Sequence, residues 1–457
     1  MPDAKETIPQ PIRFPDKPLQ AQRLPRYTSY PPATEFDALA GSTHQQWLTE
    51  LPRNKPVSLY VHIPFCQQLC WFCGCFTSIT QHYDPIKRYV KLLLQEIEWV
   101  QKQVGTLSIS HLHFGGGSPT ALSAADFGCI IRAFQHGFTF LDDAEIAVEI
   151  DPRTADNDKI AAYADHGVNR ASLGAQDFDS KVQEAIHREQ PYELVADITQ
   201  QLRDHGIKQI NLDLMYGLPY QTVDSVANNA KLALTLKPAR LAVFGYAHVP
   251  WMRKHQAVLN DLPMANPDTR IKMFAAMRQV FIDNDYVAIG IDHFAHPNDD
   301  MSKALQEKRL TRNFQGYTTD QASTILGFGI SAISSLPQGY AQNTSKVKAY
   351  KAALKDQVSN VSRGLAITQE DALRRELICE LMCHYEVDLE ALKQRYQLDI
   401  DFNAELTKLQ PFTESGYVES NNNSIRVLES GKPYVRAVCA VFDCYLEESD
   451  NRFSLAV

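Results

Sequence analysis

The sequence predicts an α/β fold: a partial (βα)6-type barrel, preceded by an extended arm and followed by a smaller, mainly helical C-terminal domain. Two observations carry this. Short β-rich runs at Val57–Ile63, Ser108–Phe114, Glu145–Ile150, Arg170–Leu173, Ile207–Leu214 and Arg240–Tyr246 alternate with amphipathic stretches such as Pro85–Gln103, Ala124–Phe134, Tyr192–His205 and Val223–Leu236. Strands alternating with helices make βαβ units, hence a parallel sheet with right-handed crossovers. The second observation is where the chemistry falls. Cys66 follows the first run and Gly115–Gly117 the second, Glu149 and Asp151 end the third, Gln176 follows the fourth and Asp213 ends the fifth. Ligands of parallel sheets and barrels sit at the carboxyl ends of the strands. Six units suit an incomplete barrel, although spacing alone also admits a doubly wound open sheet.

In chain order, residues 1–36 are proline-rich without apolar periodicity and read as an extended arm. Residues 37–345 hold the barrel. Residues 346–457 form the C-terminal domain, with helices at Gln369–Cys383, Leu389–Tyr396 and Asn403–Leu409. A hairpin of Tyr417–Glu419 and Ser424–Leu428 turns at Asn421-Asn422-Asn423, and a last helix spans Lys432–Leu446. This winged-helix outline lacks the clustered Lys and Arg that nucleic acid requires, so a lid or packing role is expected.

The 457 residues are 44% hydrophobic and 22% charged, the composition of an ordinary globular protein. A net charge of −9 argues against nucleic acid as a partner but leaves room for a basic pocket. The apolar runs are too short and too broken by charge for a membrane span, and the first 22 residues lack the apolar segment of a secretory signal. The chain therefore reads as cytoplasmic, and a monomer suffices. Four of the nine cysteines fall at positions 66, 70, 73 and 75, and such clustering in a long chain points to a metal or redox site.

The run Cys66-Gln-Gln-Leu-Cys70-Trp-Phe-Cys73 spaces three thiols so that they can hold three corners of a 4Fe–4S cluster. The fourth iron then keeps an open position. Cys75, one residue past Cys73 and Gly74, is cramped as a ligand. A zinc site would call for a second Cys/His pair, and none follows at suitable spacing. His113-Phe-Gly115-Gly116-Gly117-Ser118 lets backbone approach a ligand with no Cβ in the way. Glu149 could bind ribose hydroxyls or an ammonium group. Gln176, Arg188, Asn211 and Asp213 add polar groups to the same rim.

The cysteine loop with Phe72 before its third cysteine, the glycine triplet and the Glu149 strand end resemble the radical S-adenosylmethionine (SAM) superfamily. More narrowly, the chain resembles the oxygen-independent coproporphyrinogen III oxidases. The matching stretches are Pro25–Pro31, Tyr60–Cys66 with the run to Cys75, Asn211–Pro219, Gly290–Phe294 and Arg312–Thr319. The likeness runs from about residue 24 to the last helix. Ser118 stands where the family more often has threonine, and the hydroxyl is retained.

The resemblance implies that Cys66, Cys70 and Cys73 ligate the cluster while Cys75 lies nearby. Tyr60, Gly116 and Glu149 would contact the SAM on the cluster. A second SAM is implied beside it, with Phe72, Gly117, Ser118, Gln176, Arg188, Asp213, Ala247 and Ile333 around the pair. A 5′-deoxyadenosyl radical would take a β-hydrogen from a substrate propionate. Loss of carbon dioxide and an electron would leave a vinyl group, twice per coproporphyrinogen III, giving protoporphyrinogen IX for haem. An electron donor and an electron acceptor are implied as partners. Because a tetracarboxylate needs cations, Arg26 and Arg312 are substrate candidates, with Tyr27 closing over the ring. The alternatives are a haem chaperone of the same superfamily, which binds haem without oxidase activity, and a radical SAM methyltransferase.

Overall fold

In the computed structural model residues 23–446 are described, together with the backbone of a ribbon formed by Arg13–Phe14 and Lys17–Pro18. The remainder of the expected arm ahead of residue 23 lies outside the described residues. A thirteen-stranded sheet forms the core of the larger part. Its centre is built from β1 (Val57–Ile63), α1 (Tyr83–Val104), β2 (Ser108–Gly116), α2 (Ala124–Gly137), β3 (Thr139–Ile150), α3 (Asn157–Asp165), β4 (Arg170–Gln176), α4 (Tyr192–Asp204), β5 (Gln209–Tyr216), α5 (Val223–Thr235) and β6 (Arg240–Gly245).

Strands β1 to β6 lie side by side in chain order and all run parallel. A doubly wound sheet would reverse its order at a switch point. Here every crossover steps the same way, so right-handed connections put the helices on one face and leave the other as the inside of a barrel. The helices fit that outer face. In α1, Ile86, Tyr89, Val90, Leu93, Ile97 and Val100 recur at helical spacing and are buried.

The barrel stays open. Beyond α6 (Pro267–Ile282) come β7 (Val287–Ile289) and β8 (His293–Ala295): β8 borders β6 antiparallel, and β7 pairs antiparallel with the far side of β8. On the other edge β9 (Ile325–Phe328) pairs parallel with β1. The sheet then continues antiparallel through β10 (Ile333–Leu336), β11 (Gly339–Asn343) and β12 (Val361–Ala366) to Asp37–Ala38.

This wing moves the change of core away from residue 345. Tyr350 and Leu354, in the helix Val347–Lys355, belong to the same apolar cluster as the barrel strands. A second cluster starts with α7 (Gln369–His384), whose Leu373, Leu377 and Leu381 are fully buried. Thr368 opens that helix with a reciprocal capping box to Asp371. Leu24, Tyr27 and Tyr30 of the arm pack into this second cluster. The expected hairpin gains a third strand, because Glu386–Asp388 pairs with Ser424–Val427 alongside Val418–Ser420. The expected last helix is shorter. Glu429–Tyr434 is a 3-10 turn containing Pro433, which has no N–H to give, and only Val435–Ala440 is α-helical. Among the described residues no helix is long and apolar enough to cross a membrane.

Candidate active site

The cysteine loop leaves the end of β1, and its base is closed where Phe65–Cys66 pairs with Ser78–Ile79. Its backbone is held from both sides. The Trp71 N–H donates to Ile186 O at 2.9 Å, and the indole stacks on His187 with centroids 4.8 Å apart. His187 Nδ1 meets Leu69 O at 2.9 Å. Opposite, Gln256 Nε2 donates to Phe72 O at 3.0 Å and His255 Nε2 to Cys73 O at 2.8 Å. The Phe72 ring packs into the small apolar cluster of Met215, Leu218 and Tyr246.

Charge gathers at the sulfurs. Arg153 Nη2 lies 3.4 Å and Arg188 Nη1 3.6 Å from Cys70 Sγ, and both guanidinium groups also face Asp151, at 2.7 and 3.5 Å. Arg188 Nη2 donates to Gly174 O at 2.7 Å. The Cys75 thiol, by hydrogen bonding, holds Cys73 below the usual thiol range. Burial, with Cys73 and Asp151 nearby, pushes Cys66 up to about 12, so it needs a bound metal to deprotonate it near neutrality. The three thiols are not drawn together as a single-ion site would draw them among the described residues. The donor set, with its guanidinium neighbours, fits a thiolate-held cluster.

Next to the loop, β2 ends in a cradle that excludes side chains. A Cβ on Gly116, where φ is +114°, would stand 2.5 Å from the His62 ring, and one on Gly117 would stand 2.8 Å from Phe65 O. The N–H groups of Gly117 and Ser118 donate back to Ile63 O and Phe65 O at 2.8 and 2.9 Å. Ser118 is buried with its hydroxyl against Thr120. From β3, Glu149 accepts from Gly116 N at 3.2 Å and from His113 Nε2 at 3.1 Å. Burial works against its ionisation, but these donors hold its carboxyl below the usual range. Tyr60 stacks on His113 at 6.0 Å and reaches His62 Nδ1 at 3.1 Å. Tyr60, Gly116, Gly117 and Glu149 are therefore brought together around His62 and His113.

Glu149 also lines a cavity of about 270 Å³ inside the barrel, together with Asp213, His293 and Gln315 among others. Asp213 is not at a strand end as the sequence suggests. β5 continues to Tyr216, paired with Gly245, so Asp213 faces the interior three residues deeper. There it accepts from Ser172 Oγ at 3.2 Å and Asn211 Nδ2 at 2.7 Å. Burial, and Glu149 nearby, push its carboxyl up to about 6. Gln176 ends β4 with φ +62°. Ile333 opens β10, two strands beyond β1.

The substrate candidates line two cavities, although Arg312 Nη2 donates to Arg26 O at 3.4 Å. Arg26 donates to Gly245 O at 3.0 Å and lines a cavity of about 520 Å³ that also includes Ala247. Tyr27 and Arg312 line another, of about 360 Å³. Tyr27 donates to Asp443 Oδ2 at 3.1 Å, and Arg312 lies over the Tyr317 ring at 4.3 Å with Nε and Nη1 buried and unpaired.

The radical SAM superfamily model matches residues 60–233 and the HemN C-terminal domain model matches 367–434. The oxygen-independent coproporphyrinogen III oxidase of Bradyrhizobium diazoefficiens is 42% identical over 95% of this chain and 98% of its own length. That of Escherichia coli is 38% identical over 93% of each. The chain belongs to the oxygen-independent coproporphyrinogen III oxidase family. The solved structure of the family's E. coli coproporphyrinogen III oxidase (HemN), described as a radical SAM enzyme, superposes with a TM-score of 0.88 at 36% identity, covering 93% of this chain and all of that one.

Within this oxidase-family chain, Arg153 beside the cysteines and a charged barrel interior go beyond what the motifs announce. Glu145 pairs with Arg170 at 2.6 Å, Arg240 with Asp299 at 2.7 Å, and His111 with Asp320 at 3.2 Å. A signal was available. Buried parallel strands ordinarily read as unbroken apolar runs. Here polar residues recur at alternate places, as in Ser58-Tyr60-His62 and Arg170-Ser172, with Glu145 and Glu149 on either side of Ala147, which marks a polar inward face.

Proposed function

We propose that this chain removes two propionate carboxyls of coproporphyrinogen III oxidatively and without oxygen, giving protoporphyrinogen IX. The observation that carries the reading is the meeting, at one mouth of the barrel, of a three-cysteine loop flanked by Arg153 and Arg188 with the Gly116–Glu149 cradle. The names of the full-length relatives favour the oxidase over a haem chaperone.

Cys66, Cys70 and Cys73 would hold a 4Fe–4S cluster. Tyr60, Gly116 and Glu149 would hold a SAM against it, Glu149 as the ionised acceptor for hydroxyl or ammonium donors. When bound, the cluster and SAM supply one electron and a carbon radical able to take the β-hydrogen of a propionate. A second SAM is proposed beside the first, with Phe72, Gly117, Ser118, Gln176, Arg188, Asp213, Ala247 and Ile333 around the pair. The chain's own part is placement and exclusion of water. Loop and cradle are both fixed by backbone hydrogen bonds, so the cofactor is presented in one orientation.

The test is anaerobic incubation of iron–sulfur-reconstituted protein with coproporphyrinogen III, SAM and a reductant. Released carbon dioxide and protoporphyrin fluorescence after oxidation are expected, both absent in C66A, C70A and C73A. Haem bound stoichiometrically without turnover would overturn the reading in favour of the chaperone. A methylated product without carbon dioxide would favour the methyltransferase.

A further inference from the structure

Arg270 is the least explained charge in the molecule. It projects from α6 and is only 9% exposed, yet among the described residues no carboxylate or carbonyl pairs with it, and its Nε is buried without a partner. Its nearest ring is Tyr216, whose centroid lies 5.6 Å from the guanidinium carbon. An uncompensated buried cation is costly, and natural folds keep one where an anion arrives.

The backbone has been shaped around it. A Cβ on Gly217 would stand 2.4 Å from Arg270 Nη1, and one on Gly245 would stand 3.0 Å from Nη2. These glycines follow or end the neighbouring strands β5 and β6. The guanidinium therefore passes beneath the barrel rim through a gap kept open by two absent side chains.

The gap faces the cavity of about 520 Å³ between β6, α6 and the C-terminal domain. Its lining combines apolar Val243, Ile271, Phe274 and Ile291 with the cations Arg26, Arg270, Arg278, Lys432 and Arg436. Its two acids are already engaged. Glu429 takes Arg278 at 3.0 Å and Lys432 at 2.6 Å, and Asp292 takes His293 at 2.6 Å. Arg26 is anchored on Gly245 O at 3.0 Å, and Arg436 on Pro25 O at 3.0 Å. Ala247, two residues past β6, also lines it.

We propose that this chamber is the seat of the tetrapyrrole substrate, its apolar lining taking the macrocycle and Arg270, with Arg26, pairing one of its carboxylates. This rests on the function proposed above and names the substrate's place in it. A flat apolar ring edged with carboxylates is the occupant that satisfies both kinds of lining residue at once. Arg pairs a carboxylate bidentately, whereas a glutamine of similar reach cannot supply the charge.

The test is R270Q in the full-length, cluster-loaded protein, with coproporphyrin III, the unreactive aromatic tetracarboxylate, as a fluorescent probe. Probe Kd and coproporphyrinogen III KM are expected to rise by about tenfold or more, the loss falling on KM rather than on kcat. Wild-type Kd and KM in folded R270Q would overturn the proposal. If R270Q does not fold, R270K keeps the buried charge but not the two-pronged contact. Its Kd is then expected to rise about threefold or more, and an unchanged value would overturn the seat equally. If wild-type protein binds coproporphyrin III but does not decarboxylate coproporphyrinogen III, the functional reading fails while the probe still decides the seat.

Discussion

Arg153 donates from Nη2 to Cys70 Sγ across 3.4 Å while Nη2 and Nε grip the Asp151 carboxylate at 2.7 and 3.0 Å. Because Asp151 follows β3 directly, the sulfur is tied electrostatically to the strand that carries Glu149. A cation beside a cluster thiolate stabilises the reduced, more negative state.

R153Q should therefore lower the midpoint potential of the reconstituted cluster. Losing about 1.4 kcal/mol of that stabilisation corresponds to ~59 mV for a one-electron couple. An EPR-monitored redox titration reads this directly, and R153K should keep most of the potential. A midpoint unmoved in R153Q would show that Arg153 serves Asp151 alone.

Gly116 combines a φ of +114° with a His62 ring 2.5 Å from where a Cβ would stand. G116A must either turn the backbone or push His62 off Phe76 O, to which its Nε2 is bonded at 3.0 Å. SAM binding should fall by about two orders of magnitude, since roughly 3 kcal/mol of strain and lost contact meet at one point. Equilibrium dialysis with labelled SAM measures it, with iron content as the control for an intact cysteine loop.

Asp213 gives a pH dependence whose sign follows from burial. Its folded-state pKa of about 6 lies above the ordinary 3.8, so between those values the folded chain holds more protons than the unfolded one. This contribution is largest below pH ~4, declines as pH rises, and is lost by pH ~6, with a slope of at most about 1.4 kcal/mol per pH unit. D213N does not titrate. Its stability relative to wild type should rise from pH 4.5 to 6.5 in urea unfolding, and a constant difference would remove Asp213 as the titrating group.

Glu96 on α1 accepts from Gly329 N at 2.6 Å, Asn343 Nδ2 at 2.7 Å, Asn360 Nδ2 at 2.6 Å and Tyr350 OH at 2.5 Å. E96A would strand four buried donors, so a loss of about 4 kcal/mol or more is expected. A denaturant melt within about 1 kcal/mol of wild type would show that water replaces the carboxylate.

The parallel half of the fold was legible because each βα unit states its period clearly, and Val57–Ile63 and Leu389–Tyr396 fall where the pattern puts them. The antiparallel wing was not. Ile333–Leu336 and Gly339–Asn343 are short and mix Ser, Gly and Gln with apolar residues, since one face meets polar surroundings. Cys66, Cys70, Cys73 and the glycine triplet announce themselves by spacing. Arg153 and Arg270 do not, because an arginine in a loop or on a helix looks the same whether it faces water or a sulfur atom. Glu96 sits in an amphipathic helix where a carboxylate ordinarily faces solvent. Only the late arrival of Asn343, Tyr350 and Asn360 from distant sequence makes it a core residue.

β1, which delivers the cysteines, is flanked on one side by β2 and on the other by β9, whose first residue is Ile325. During synthesis the cysteines leave the ribosome hundreds of residues before that edge can be closed, and a contact so distant in sequence forms slowly. Any machinery that delivers iron and sulfide before residue 328 has emerged meets thiols on a half-finished sheet. Conditions that slow the last third of the chain should therefore leave apo-protein behind.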